Sequence, residues 1–319
     1  GRHPSLGTEG LLKLRYINVL KFEKSHKLLI ISFISVLTTS LLASCSDDAE
    51  PQYKDAKSTP MTFRVSHPAQ TRATSSDFEA GDCIGLYVAS ADKPLEIGGN
   101  LVNNEALSFN GREWTADRFL FWDEGTYNAF AYYPYIKKLS NIEDQPFSVA
   151  IDQSTKKTAT SLGGYEASDL LFSTAKGVKA SASPISLNFK HIMSKLTIRL
   201  IKGEDFDGEM PKTAVVYVHS TVPTATIDLQ AGVVTRDVKG IRKTIIAHQD
   251  EDDTYSAIIV PQRIDNRMPL IEVEMKGVSY FFESKFLFKP GIEHLINLII
   301  SDNPDKVKIN IGGEKVNWD

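Results

Sequence analysis

From residue 60 onward apolar positions recur every second residue. Thr62–Ser66 (TFRVS), Ile84–Val88 (IGLYV), Lys195–Leu200 (KLTIRL) and Lys308–Ile311 (KINI) all alternate. A period of two sends successive side chains to opposite faces of a strand, one toward a core and one toward water. Further strands are predicted over Tyr127–Tyr133, Ser186–Phe189, Ala214–His219, Ala225–Leu229, Thr244–Ala247, Tyr255–Val260, Leu270–Met275, Tyr280–Phe282 and Leu295–Ile300. Gly, Pro, Asn or Asp clusters part them at roughly 8–15-residue spacing, which favours antiparallel sandwiches over βαβ units. No sustained helical period is present, and the polar, weakly patterned Ser140–Gly177 is expected to hold long loops. The expected fold class is all-β. The small polar stretch Lys176–Pro184 (KGVKASASP) suggests a division into an N-terminal sandwich at 61–187 and a C-terminal one at 188–319.

The chain ahead of residue 60 has a different pattern. Arg2, Lys13, Arg15, Lys21, Lys24 and Lys27 precede an apolar run of 15 residues, Leu28–Leu42. That run is short for a bilayer span and matches the apolar region of a signal peptide. It ends in Leu42-Ala43-Ser44-Cys45, which resembles a bacterial lipobox. On this reading 1–44 is a lipoprotein signal peptide and Cys45 is the lipidated first residue of the mature chain. Residues 45–60 then form a polar linker. Each buried CH₂ of an acyl chain contributes about 0.8 kcal/mol, so two or more chains anchor stably. Ser46-Asp47-Asp48 reads either as a surface-export signal or as a solvated tether.

Charge and composition exclude more than they select. The 319 residues are 42% hydrophobic, with a net charge of −4. The signal segment holds six Lys/Arg and two Asp/Glu, so residues 45–319 carry a net −8. Such a body offers no electrostatic footprint for nucleic acid. The seven histidines lack metal-ligand spacing, and no nucleophile elbow, P-loop or dinucleotide fingerprint occurs. No enzyme, metal or cofactor is expected. Asp250-Glu251-Asp252-Asp253 reads as a solvated loop, His191 as a hydrogen-bonded structural histidine, and Cys83 as a buried thiol.

Several motifs, in order, resemble the Bacteroidales fimbrillin-like (Mfa-like) lipoproteins. They are Thr71-Arg72-Ala73-Thr74 with Phe78–Tyr87 (FEAGDCIGLY), Phe189–Leu196 (FKHIMSKL), Ala225–Val234 (ATIDLQAGVV), Ala257–Gln262 (AIIVPQ) and Phe288–Gly291 followed by His294–Ile300. The resemblance implies two tandem transthyretin-like β-sandwiches and a surface-exposed outer-membrane lipoprotein. It also implies a structural or adhesive subunit of type V pili. In that scheme an arginine-specific protease removes the first strand, and a strand from another pilus subunit fills the groove by β-augmentation. Carried onto this chain, the displaced strand is Thr62–Ser66, with Phe63 and Val65 facing inward. The processing site is Arg72, with Arg64 as a rival. The donor is Val307–Ile311, through Val307, Ile309 and Ile311, after which Gly312-Gly313 permits a turn.

Plainer readings stand beside these. Arg72 reads also as a plain surface arginine, Thr62–Ser66 as a permanent strand, and Val307–Ile311 as the last internal strand of the second sandwich. The alternative function is a non-polymerising outer-membrane lipoprotein that binds a glycan or host protein. Its candidate surface is the aromatic cluster of Phe119–Trp122 and Tyr127–Tyr135, which at strand spacing also reads as core.

Overall fold

The structure, a computed structural model, describes residues 59–68, 78–316 and 318. The expectations for Cys45, for Arg72 and for segments 1–44 and 45–58 lie outside the described residues. The described residues fall in one compact unit.

In chain order the first half runs β1 (Phe63–Ser66), β2 (Cys83–Ser90), β3 (Val102–Phe109), β4 (Trp114–Ala116), β5 (Thr126–Tyr133), β6 (Gln145–Ser148), α1 (Gly164–Ser168), β7 (Leu171–Lys179), β8 (Ile185–Asn188) and β9 (Lys190–His191). The second half runs β10 (Ser194–Lys202), β11 (Val215–Thr221), β12 (Thr224–Asp228), β13 (Val233–Arg236), β14 (Lys243–Ile246), β15 (His248–Glu251), β16 (Thr254–Ile259), β17 (Gln262–Met275), β18 (Val278–Phe288), β19 (Ile292–Ile300) and β20 (Lys308–Val316). The fold is all-β.

Two layered cores result. The smaller lies against one face of a six-stranded sheet, β4-β3-β2-β5-β7-β9. Ile84, Leu86, Ala129, Ala131 and Leu171 of that face meet Met61, Trp122, Ile185 and Leu187 from the layer that holds β1 and β8. The larger core involves a four-stranded sheet, β14-β11-β17-β18, and a five-stranded one, β15-β16-β10-β19-β20. Ladders β1–β8 and β10–β19 are parallel, and the other ladders between named strands are antiparallel.

Strand pairing crosses the 187/188 boundary, and β8 itself spans it. Lys190 and His191 of β9 extend the six-stranded sheet beside β7, and β6 pairs with β12. The small sheet β13-β12-β6 contributes to the larger core beside the second face of the six-stranded sheet. There Tyr87, Phe130, Tyr132 and Phe172 join Ile227 and Leu229. Both faces of β2 and β5 are therefore covered, which explains why Ile84–Ala89 are all buried.

Three expectations are corrected. Ser140–Gly177 contains β6, α1 and most of β7, because Leu171–Phe172 are buried on both faces and so carry no alternation. The polar face of β10 does not meet water: Ser194, Lys195 and Thr197 are buried, since α1 and β15 flank that side. Gly312 and Gly313 make no turn. They form a bulge opposite Leu295 and Ile296 inside one continuous strand, with Gly313 at φ +118, a conformation glycine adopts without steric cost.

Candidate functional site

The first strand is held by its backbone on one side. Phe63 to Ser66 register with Ile185 to Asn188, and the Ile185 N–H donates to the Thr62 carbonyl at 2.8 Å. Just upstream, the Met61 N–H donates to Leu120 O (2.8 Å), and the Trp122 N–H donates to Thr59 O (2.9 Å). Phe63 and Val65 are half-buried and pack against the smaller core, while Arg64 faces solvent. Among the described residues β8 is the sole ladder partner of β1. A groove of about 520 Å³ lies between β1 and the β3–β4 hairpin, lined by Phe63, Val65, Phe78 and Trp114. An element with one ladder and a partly buried apolar face is weakly retained compared with a central strand.

The last strand is also at an edge. Lys308 to Val316 pair antiparallel with Ile299 back to Ile292 of β19, and β20 ends the five-stranded sheet. Its apolar residues are little used: Ile309 is 40% and Ile311 64% exposed. Val307, just ahead of it, packs on the larger core. Lys289 Nζ meets the Glu314 carboxylate at 2.8 Å, and His294 Nδ1 lies 3.7 Å from it. The Lys289 N–H donates to His294 Nε2 at 3.0 Å, so that nitrogen carries no proton. Burial holds the His294 ring below its ordinary range, although Glu314 opposes this. The hydrogen bond from Lys289 holds the Glu314 carboxyl below its own.

Two residues beyond β20 the exposure reverses. Trp318 is 1% exposed, among the largest fully buried side chains. Its indole stacks on His191, with centroids 4.0 Å apart and planes at 22°. His191 Nε2 donates to the Trp318 carbonyl at 3.2 Å, and Nδ1 lies 2.8 Å from Asp169 Oδ1. Beside this contact is a cleft of about 570 Å³ that also reaches Lys195 and Glu293. Sequence reasoning assigned His191 a structural, hydrogen-bonded role but missed its partners. Asp169 follows a five-residue helix, and Trp318 follows a bulged strand, so no periodicity ties either to His191.

The remaining candidates are placed as follows. Trp122 is buried in the smaller core with its indole N–H unpartnered among the described residues. It cannot stack on a sugar there; only Phe119 and Phe121 of that run are exposed. Cys83 stands half-buried at the start of β2, its thiol pushed up first by burial. Of the acidic run, Asp250 and Glu251 belong to β15, and Ser256 Oγ donates to Asp250 at 2.8 Å. Among the described residues no cluster of three His, Cys, Asp or Glu is placed to hold a metal ion.

Comparison with known proteins gives a consistent picture. A family model described as fimbrillin-like matches residues 71–318. A Bacteroides uniformis protein named for fimbrium subunit Fim1C is 25% identical over 224 residues, covering 68% of this chain and 70% of its own. The crystal structure of a protein assigned to cell adhesion, also from B. uniformis, superposes with a TM-score of 0.60 at 20% identity, covering 81% of this chain and 96% of that one. A counterpart from Bacteroides ovatus gives 0.61 at 19%, covering 82% and 97%. At these identities the two structures share the fold.

Proposed function

This chain belongs to the fimbrillin-like family, and from that membership we propose that it is a surface fimbrium subunit, structural or adhesive rather than catalytic, that assembles by strand exchange. Cys45 carries the lipid that brings it to the outer membrane. An arginine-specific protease cuts after Arg72 and frees β1. The next subunit's Val307–Ile311 then enters the vacated place.

The observation that carries this reading is the matched state of the two edge strands. β1 leaves two half-buried apolar side chains, Phe63 and Val65, and a row of β8 backbone groups at Ile185–Asn188. β20 presents Ile309 and Ile311 at the same two-residue spacing, both exposed. Exchange would bury apolar surface now facing water and satisfy the β8 groups that expulsion of β1 unpairs.

Purified full chain treated with an arginine-specific protease tests the proposal. Mass spectrometry should find a new terminus at Ala73, and electrophoresis a ladder of SDS-resistant oligomers. Arg72→Ala should abolish both, and Ile309→Asp with Ile311→Asp should abolish the ladder alone. A product cut at Arg72 that stays monomeric would sink the exchange step.

A further inference from the structure

β20 and Trp318 are held by opposite means. The strand lies at an edge with exposed side chains along nearly its whole length, whereas Trp318 two residues on is fully buried. Its site comes from the other half of the sheet system. His191 stands on β9, at the end of the six-stranded sheet, and Asp169 follows α1 and precedes β7. The contact therefore reaches across from the last strand of the second half to the first half.

We infer that His191 and Asp169 form a binding site for the aromatic residue that trails β20, and that Trp318 in this site is the latch keeping β20 docked on its own chain. The ligand class is a strand-borne tryptophan. The stack supplies face-to-face contact between flat rings, and the His191–Trp318 hydrogen bond fixes the depth of entry through the backbone. Asp169 is a positioning residue: it holds the imidazole at Nδ1 so that Nε2 points at the Trp318 carbonyl. With the latch closed β20 satisfies its own β19, and with it open the strand keeps its edge ladder and the Lys289–Glu314 tie but loses its fully buried anchor.

This inference rests on the strand-exchange reading for its purpose, but the latch is measurable without it. Hydrogen exchange is followed by mass spectrometry on the full chain, its Trp318→Ala and Trp318→Phe variants, and His191→Phe. The last keeps an aromatic face and loses both hydrogen bonds. In Trp318→Ala the β20 amides should exchange about a hundredfold faster, a local opening of an edge strand released from its anchor. Amides of β10, in the same sheet, should hold their wild-type rates. Trp318→Phe and His191→Phe should fall between. Unchanged β20 rates overturn the latch, and so does an equal rise in β10, which would mark general destabilisation. The same variants are then cut at Arg72. Faster ladder growth in Trp318→Ala is expected. A selectively released β20 with no ladder would leave the latch standing and remove strand exchange.

Discussion

Lys195 sits where the alternation of β10 expects water, and it is buried instead. Its ammonium lies 3.5 Å from Glu293, whose other tie is the Thr197 hydroxyl, donating at 2.6 Å. Burial pulls the Lys195 ammonium downward, but Tyr165, Glu293 and Asp250 outweigh it and hold the group above its ordinary range. A buried ion pair adds little net stability, yet breaking one side is costly, about 3–5 kcal/mol. Lys195→Met should therefore lower stability by that order in chemical denaturation, and Lys195→Met with Glu293→Gln should recover much of it. A single variant as stable as wild type would show that the cleft is wet enough to screen the carboxylate. A second residue-scale test lies at Gly232, between β12 and β13. A Cβ there would stand 2.2 Å from the Phe172 ring, at φ +68. Gly232→Ala should cost about 2–4 kcal/mol, from overpacking plus a left-handed alanine.

At the scale of elements, the fastening of β20 has a pH sign. His294 and Glu314 each bind fewer protons folded than unfolded, since both pKa values are held low. Their contributions are whole at neutral pH. The His294 share drains as pH falls below its ordinary 6.5, and the Glu314 share only below 4.5. Lys289 and Glu314 are each 44% exposed, so salt screens their part. The melting temperature should therefore fall between pH 7 and pH 5, and His294→Gln should flatten that slope. An unchanged slope in the variant would assign the pH dependence to other groups. Elements also mark how far the sequence could be read. A strand with one wet face, Thr62–Ser66, was legible because burial and alternation agree, whereas Lys308–Ile311 was legible from its alternation alone, since both of its faces are exposed. β7 was not, since Leu171 and Phe172 are buried on opposite faces. β3 was not, because Asn104 at φ +44 breaks its period within a bulged ladder. The edge character of β1 and β20 is not in their spacing, which any amphipathic strand shows; it was an expectation from the family resemblance. The Trp318–His191–Asp169 contact could not, because it joins residues 127 and 22 positions apart with no shared pattern.

For the whole molecule, the layered arrangement decides what removal of β1 can do. The six-stranded sheet has a core on each face. β1 touches only the smaller one, through Phe63 and Val65, and the larger core contains no residue of β1. Expelling β1 therefore weakens one layer and leaves the other as a scaffold for the open groove. The segment released with β1 also carries the buried Met61, so its burial together with the partial burial of one Phe and one Val is worth about 3–6 kcal/mol, using about 25 cal/mol per Å². The cleaved, unfilled chain should thus remain folded and melt several degrees lower. Because Phe172 and Tyr132 tie the sheet to Ile227 and Leu229, intact protein should show a single calorimetric transition. The cut protein should show one transition too, at reduced temperature. A synthetic peptide spanning residues 305–316 should restore the temperature, and the same peptide with Ile309→Asp and Ile311→Asp should not. Two separate transitions in the intact chain would mean that the shared sheet does not couple the halves, and loss of folding on cleavage would mean that the groove cannot wait for a donor.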